Sequence, residues 1–438
     1  MRKIPKRIAT TIMNSLKGGV VPRIGLGYIT VGREQEINAL LKDIEIIKDG
    51  GATFRFIVGR YGSGKSFLLQ TIRSYAMDLG FVVVDADLSP ERRLTGSAGQ
   101  GLATYKELIQ NMSIKTRSEG GALPVIFQKW LLAVENKIME EKNISRNDLE
   151  FSRYVEAKIY EMVYKLEGVI SGFDFAKALL LYCEATYSTN EEIKSKVMKW
   201  FRGEYQTKTE SKNELGINAI INDSNWYDYI KIYSLFFREA GYSGLLVMID
   251  ELVNIYKVPN SITRQYNYEK ILTLYNDTLQ GKANHLGIIM SGTPQAIEDT
   301  RRGVFSYEAL RSRLEDSRFA NDEIRDLLAP IIRLKPLTSE ETYVLVEKIA
   351  FIHSDLYEYE LKVSEEDMMY FIKVEYERIG ASKNLTVREV IRDFIELLNI
   401  LYQHPEKSFK NILEKEDFEY NNPEEAEDIL KEYIGFEI

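Results

Sequence analysis

The chain has 438 residues, 45% of them hydrophobic and 28% charged, with a net charge of −9. That length allows two or three domains with room to bury a core, and the composition is that of a soluble globular protein. The negative balance argues against a protein that coats DNA by bulk electrostatics, and Cys183, as the single cysteine, excludes an internal disulfide and a cysteine-based zinc site.

Residues 1–16 read as a short basic amphipathic helix with Arg2, Lys3, Lys6 and Arg7 at its start. No apolar stretch of the signal-peptide type follows, and no apolar run approaches a membrane span, so a cytoplasmic location is expected. A connector punctuated by glycine and proline (residues 17–28) breaks regular structure. Val31-Gly32-Arg33-Glu34 then opens a helix carrying Ile37, Leu40, Leu41 and Ile44 at helical spacing, which Gly50-Gly51 ends.

The next stretch, FRFIVGRYGSGKSFLL (residues 54–69), is the most informative in the chain. A β-branched and aromatic run meets Gly59, and Gly64-Lys65-Ser66 leads into an apolar helical pattern. This is the phosphate-binding pattern G-x-x-x-x-G-K-[ST] in its strand–loop–helix setting. Glycines let backbone N–H groups turn inward to cradle phosphate oxygens, and the helix offers its N-terminus to the negative charge. Lys65 supplies a point charge at the terminal phosphates, and the Ser66 hydroxyl is a candidate Mg²⁺ ligand. Gly59, Tyr61, Gly62, Ser63, Gly64, Lys65, Ser66 and Phe67 are therefore the candidate nucleotide contacts.

Gly80 precedes a second buried strand, Phe81-Val82-Val83-Val84, closed by Asp85, Ala86 and Asp87. Its apolar continuity suits a parallel sheet covered on both faces. Ser89-Pro90-Glu91 predicts a helix start, with serine as N-cap and proline at the first helical position. The polar, glycine-rich residues 95–104 read as a flexible surface loop. Helical patterns fill 123–210 and return at 227–240; Cys183 sits among apolar neighbours there and reads as a core residue. Three further strands are expected at 244–250, 286–291 and 330–334, giving a parallel α/β sheet. Beyond Pro336, helices at 339–356, 364–379 and 386–403 make a small all-α domain. The last 33 residues, from Glu406, hold eleven Asp or Glu and four Lys or Arg, a net of −7.

Four apolar residues followed by Asp250-Glu251 form a second nucleotide signal. Asp250, at a strand's carboxyl end, is placed to hold Mg²⁺, and Glu251 to orient or deprotonate the attacking water. Ser291 and Thr293 end the next strand, where a hydroxyl either senses the terminal phosphate or caps a turn. Arg301-Arg302 and Arg311-Ser312-Arg313 precede the last strand. Arg311 or Arg313 is a candidate arginine finger, and a solvated basic helix face is the alternative. Arg388 opens the final helix of the small domain and is a candidate phosphate contact, the alternative being a surface arginine.

The order VGREQEI, GRYGSGKS, LLVMIDE, SGTP, RSRL and TVREV resembles AAA+ ATPases of the origin-recognition-like clade. It resembles more closely the BrxC/BrxD-type ATP-binding proteins of BREX phage-defence loci. Carrying blocks include VDADLSPERRL, GQGLATYKEL, NYEKILTLYNDTLQG from Asn267 and RRGVFSYEALRSRL from Arg301, and the likeness runs from Val21 to about Leu401. The resemblance implies a fold with a parallel-sheet P-loop AAA+ core, residues 31–336, interrupted by a large helical insertion at about 105–240. It further implies an α-helical lid at 337–403, with residues 1–30 as a basic helix and connector and 404–438 as an acidic tail. Gly32 and Arg33 would lie near the adenine. The implied activity is Mg²⁺-dependent ATP hydrolysis in a homo-oligomer, coupled to helicase- or methyltransferase-type partner proteins of a defence assembly acting on DNA. A winged helix, which follows the helical domain in initiator relatives, does not fit the acidic tail. The rival reading is a signalling or scaffold NTPase that times assembly with partner proteins; a nucleotide kinase is disfavoured by the Asp-Glu strand and the extra helical domain.

Overall fold

The computed structural model describes residues 3–167, 171–315, 325–378 and 386–413. Five strands form one sheet: β1 (Ala52–Val58), β2 (Val82–Asp87), β3 (Leu245–Asp250), β4 (Leu286–Gly292) and β5 (Ile331–Arg333). All pairings are parallel, in the order β2-β3-β4-β1-β5. Every carboxyl end therefore points to the same edge.

Side-chain alternation divides the core into two layers. Ile57, Val83, Leu246, Met248, Ile289 and Ile332 face one side, where the helices Glu34–Lys48 and Lys65–Asp78 cover them with Leu40, Ile44, Ile47, Leu68, Ile72 and Ala76. Phe56, Val58, Val84, Val247, Ile249, Ile288 and Met290 face the other, under helices from the connections β2 to β3, β3 to β4 and β4 to β5. Handedness explains the division. A right-handed crossover places its helices on a face fixed by the direction in which it travels along the sheet. Only β1 to β2 runs one way; the other three connections run the opposite way, and their helices share the opposite face.

Between β2 and β3 come the helices Gln100–Gln110, Leu123–Lys142, Phe151–Glu167, Gly172–Tyr187, Glu191–Phe201, Lys208–Leu215 and Trp226–Glu239. Aromatic edge-to-face pairs knit them together, with Phe127 meeting Tyr182, Phe201 and Phe236. Cys183 is buried there, and burial pushes its thiol well above its ordinary value, as a core residue and not a nucleophile requires.

Two expectations about this connection need correction. No helix starts at Ser89: its Oγ accepts N–H groups from Glu91 and Arg92, but Ser89 and Arg92 exchange backbone hydrogen bonds and close an isolated turn. The Arg93 N–H then donates to Gln100 O, and those of Leu94 and Thr95 are taken by the Asn267 side chain. The glycine-rich segment is also not a loop throughout. Gly99, at φ +83°, is the N-cap of the helix Gln100–Gln110, and the Asp223 carboxylate accepts from Gly101 and Leu102 in its first turn.

The chain divides into two compact units, residues 33–336 and a second unit built from both ends of the chain, up to Gly32 and from Leu337. In the second unit the helix Lys6–Lys17 buries Ala9, Ile12, Met13 and Leu16 and packs on the helices Ser339–Tyr357 and Val387–Gln403. The glycine- and proline-punctuated connector contains one short helix, Leu26–Ile29. Thr338 with Glu341 and Thr386 with Glu389 form reciprocal capping boxes at the starts of the two longer helices. Within the stretch expected to be an acidic tail, the helix Phe409–Leu413 is present; residues from 414 on, which carry most of the acidic run, lie outside the described residues.

In the larger unit, Arg55 of β1 forms a buried bidentate pair with Asp43, Nε to Oδ2 at 2.6 Å and Nη2 to Oδ1 at 2.7 Å. Its Nη1 donates to the carbonyls of Leu328 and Ala329, which lead into β5. Removing one partner of such a pair strands a buried charge. Asp43→Ala should therefore lower unfolding stability by about 3 kcal/mol, measured by denaturant titration.

Candidate functional site

β1 ends against its neighbours: the Gly59 N–H donates to Gly292 O at 3.2 Å, and Leu334 N–H to Val58 O at 2.7 Å. The loop that follows needs its glycines. Gly62 and Gly64 have φ of +74° and +88°, where side chains with a Cβ are strained. A Cβ on Gly59 would run into the Ser63 hydroxyl. That hydroxyl is buried and has no hydrogen-bond partner, so the loop carries an unsatisfied polar atom. Lys65 lies back over the loop, its Nζ donating to Gly59 O and Arg60 O, both at 3.0 Å. Tyr61 stands 67% exposed at the loop's tip, and Phe67 is half-buried in the first turn of the following helix.

Arg33 is buried, and one guanidinium nitrogen donates to Ser63 O at 3.0 Å and Lys335 O at 2.8 Å. It is thus tied to the loop backbone, a role that the resemblance to nucleotide-binding relatives does not specify. Gly32 and Arg388 belong to the other unit. Gly32 sits at φ +66°, where a Cβ would collide with Glu341, and the Arg388 side chain lies beside Gly19.

The carboxyl edge of the sheet brings three hydroxyl- and carboxyl-bearing residues together. Ser66 Oγ donates to Asp250 Oδ2 at 2.9 Å, Ser291 Oγ donates to Asp250 Oδ1, and the Glu251 N–H donates to the same Oδ1 at 2.8 Å. Parallel register brings Asp250 level with Ser291, since the residues before them, Ile249 and Met290, are paired, and it sets Asp87 opposite Asp250. Asp250 and Ser291 are buried, whereas Glu251 is exposed with φ +63°, in the left-handed region. That conformation costs a residue with a Cβ about 1–2 kcal/mol. Ser66 and Asp250 together offer hard oxygen donors of the kind Mg²⁺ accepts. Thr293, the other candidate hydroxyl, is an N-cap: its side chain accepts from Ala296 N–H.

The candidate arginines differ in their attachments. Arg311 is held between Glu308 and Glu315, and Arg302 lies over the Tyr256 ring with its centre 5.4 Å from the centroid. Arg313 is exposed, and its Nη1 donates to Ala309 O one turn back in its own helix.

Sequence reasoning passed over one member of the edge. Asp87, opposite Asp250, has its carboxyl pushed up to about 6, first by burial of the group and then by the charges of Asp250, Asp85 and Glu251, against a smaller pull from Arg92. The only signal in the sequence was the DAD ending of the second strand, and which of its two carboxylates joins the edge depends on register. The residue as a whole stays exposed, so water screens part of the repulsion.

A family model described as BREX system ATP-binding protein BrxC/D matches residues 4–417. Among curated proteins none matches the chain.

A carboxyl held above its ordinary value favours the fold most while protonated. Its contribution is complete below the unfolded value of 3.8 and is lost as pH rises through about 6. In nucleotide-free, metal-free protein, Asp87→Asn should raise the melting temperature at pH 7.5, and the gain should vanish by about pH 4. Melting curves across that range are the measurement.

Proposed function

The chain belongs to the BREX system ATP-binding protein BrxC/D family, and we propose that it is a Mg²⁺-dependent ATPase whose active site is the Gly59–Ser66 loop with the Asp250-Glu251 turn. The observation that carries this reading is the meeting of Ser66 and Ser291 on the Asp250 carboxylate. Three elements far apart in sequence converge there, at the edge where ligands of open parallel sheets bind.

The donor set fits the ligand. A phosphate group in the loop would receive the backbone N–H groups around Gly62 and Gly64 and the N-terminus of a 14-residue helix. It would also give the buried, unsatisfied Ser63 hydroxyl a partner. Lys65, now bonded to two carbonyls of the same loop, needs only a side-chain rotation to reach a phosphate oxygen. Ser66 and Asp250 would hold Mg²⁺, which when bound neutralises charge on the phosphates. Glu251 is exposed at the strand's end and accepts a proton from the attacking water at its carboxylate. Ser291 holds the Asp250 carboxylate from the far side and fixes its direction.

Arg313 is the better of the two paired arginines for acting across a subunit boundary. Arg311 is already held by two glutamates, while Arg313 is exposed. A homo-oligomer in which Arg313 reaches a neighbouring subunit's phosphates follows. Within a BREX assembly the ATPase would act as a motor or switch beside DNA-modifying or DNA-unwinding partners. If it only times assembly with those proteins, they and not DNA will stimulate turnover.

Lys65→Ala should weaken ATP binding by roughly 10- to 100-fold, as loss of a charge-assisted contact does, in a calorimetric titration. Glu251→Gln should bind ATP normally and turn over at least about 100-fold more slowly. Normal turnover in both variants would remove this site assignment. Arg313→Ala should lower turnover by roughly 10³-fold, and specific activity of the unaltered protein should rise with its concentration; a rate independent of concentration would place the whole site in one subunit.

A further inference from the structure

Glu251 directly follows β3 in a left-handed backbone conformation. Its φ is +63°, a strained region for a residue with a Cβ, and the residue is exposed. Hydrogen bonds of its neighbours hold the turn. Leu88 N–H donates to Asp250 O at 3.0 Å from the β2 side, and Leu252 N–H to Ser291 O at 3.1 Å from the β4 side. Asn254 then contributes twice. Its backbone N–H donates to Glu251 O at 2.9 Å, and its side-chain Nδ2 donates to Leu88 O at 2.7 Å.

The second of these bonds is the informative one. Any residue supplies the backbone bond, but only a side-chain donor of this length reaches Leu88. Leu88 directly follows Asp87, so the bond stitches the exit of β2 to the short helix Val253–Tyr256 that begins just after Glu251. The turn is thereby fixed on both flanks, by the backbone of β4 on one and by Asn254 on the other.

We propose that Asn254 is a positioning residue for the proposed catalytic base, holding Glu251 in its left-handed turn through the bond to Leu88. This rests on the reading of Glu251 given above. Asn254 touches no phosphate-loop residue among the described hydrogen bonds, so its effect falls on turnover and not on nucleotide affinity. A displacement of about 1 Å at a reacting group costs on the order of 10² in rate.

The experiment is a double-mutant cycle on the full chain, reading steady-state ATP turnover, ATP affinity by calorimetry and melting temperature. Asn254→Ala should turn over roughly 10- to 100-fold more slowly, with ATP affinity within about twofold of the unaltered protein. Asn254→Asp, nearly the same shape but with an acceptor in place of the donor, should show the same loss, which keeps the test sound if the alanine variant folds poorly. In the Glu251→Gln background neither substitution should slow the residual turnover further, because the group they position is already gone. Turnover within twofold of normal in both Asn254 variants overturns the proposal while leaving the site reading intact. A parallel loss of affinity and turnover, or a full further loss in the Glu251→Gln background, also overturns it by assigning Asn254 a general structural role. If Glu251→Gln itself turns over normally, the reading of the base fails and the positioning role goes with it.

Discussion

One carboxylate joins the parts of this site. Asp250 ends β3, and its two oxygens accept the hydroxyls of Ser66, from the helix after β1, and Ser291, from β4. Each oxygen is committed to a neighbour on a different element, so the group has a single orientation, and an acceptor-only side chain buried at a strand end is not left unsatisfied.

That convergence is a property of the sheet before it is a property of the residues. In an all-parallel sheet every strand delivers its last side chain to the same edge, and register decides which side chains are level. β1 and β4 are neighbours, yet their chains leave in opposite directions, β1 toward β2 and β4 toward β5. With right-handed crossovers the two connections must separate to opposite faces, which opens a crevice at their carboxyl ends. The glycine loop between β1 and the helix Lys65–Asp78 occupies the β1 side of it. Arg33 ties the loop backbone at Ser63 to Lys335 just beyond β5, and Arg55 of β1, paired with Asp43, holds the backbone leading into β5 at Leu328 and Ala329.

Much of this was legible in the chain. Each central strand is a short apolar run bounded by glycine or carboxylate, and the phosphate loop has residue types that few other structures require. Asp250 and Ser291 could be placed at strand ends by local pattern alone. What local pattern could not supply was register, and so the pairing of Asp87 with Asp250 went unread. The helix expected at Ser89 failed for a related reason: its cap signal was genuine, but Asn267, 173 residues away, takes the Leu94 N–H that a helix would have used. The glycine-rich stretch misled in the opposite sense, since glycine at an N-cap and a distant Asp223 start a helix that composition argues against. Arg33 shows the limit most plainly, because its partners Ser63 and Lys335 lie 30 and 302 positions away.

The smaller unit is assembled from both ends of the chain, and this sets the order in which the protein can mature. During synthesis residues 33–336 emerge as a continuous block that contains all five strands, and nothing downstream is needed to complete their sheet. The stripe Ala9, Ile12, Met13 and Leu16, made before that block, stays uncovered until the helices Ser339–Tyr357 and Val387–Gln403 have left the ribosome to pack on it. A nascent chain halted before that point carries a completed five-stranded sheet together with an uncovered apolar helix face, the kind of exposed surface that favours aggregation.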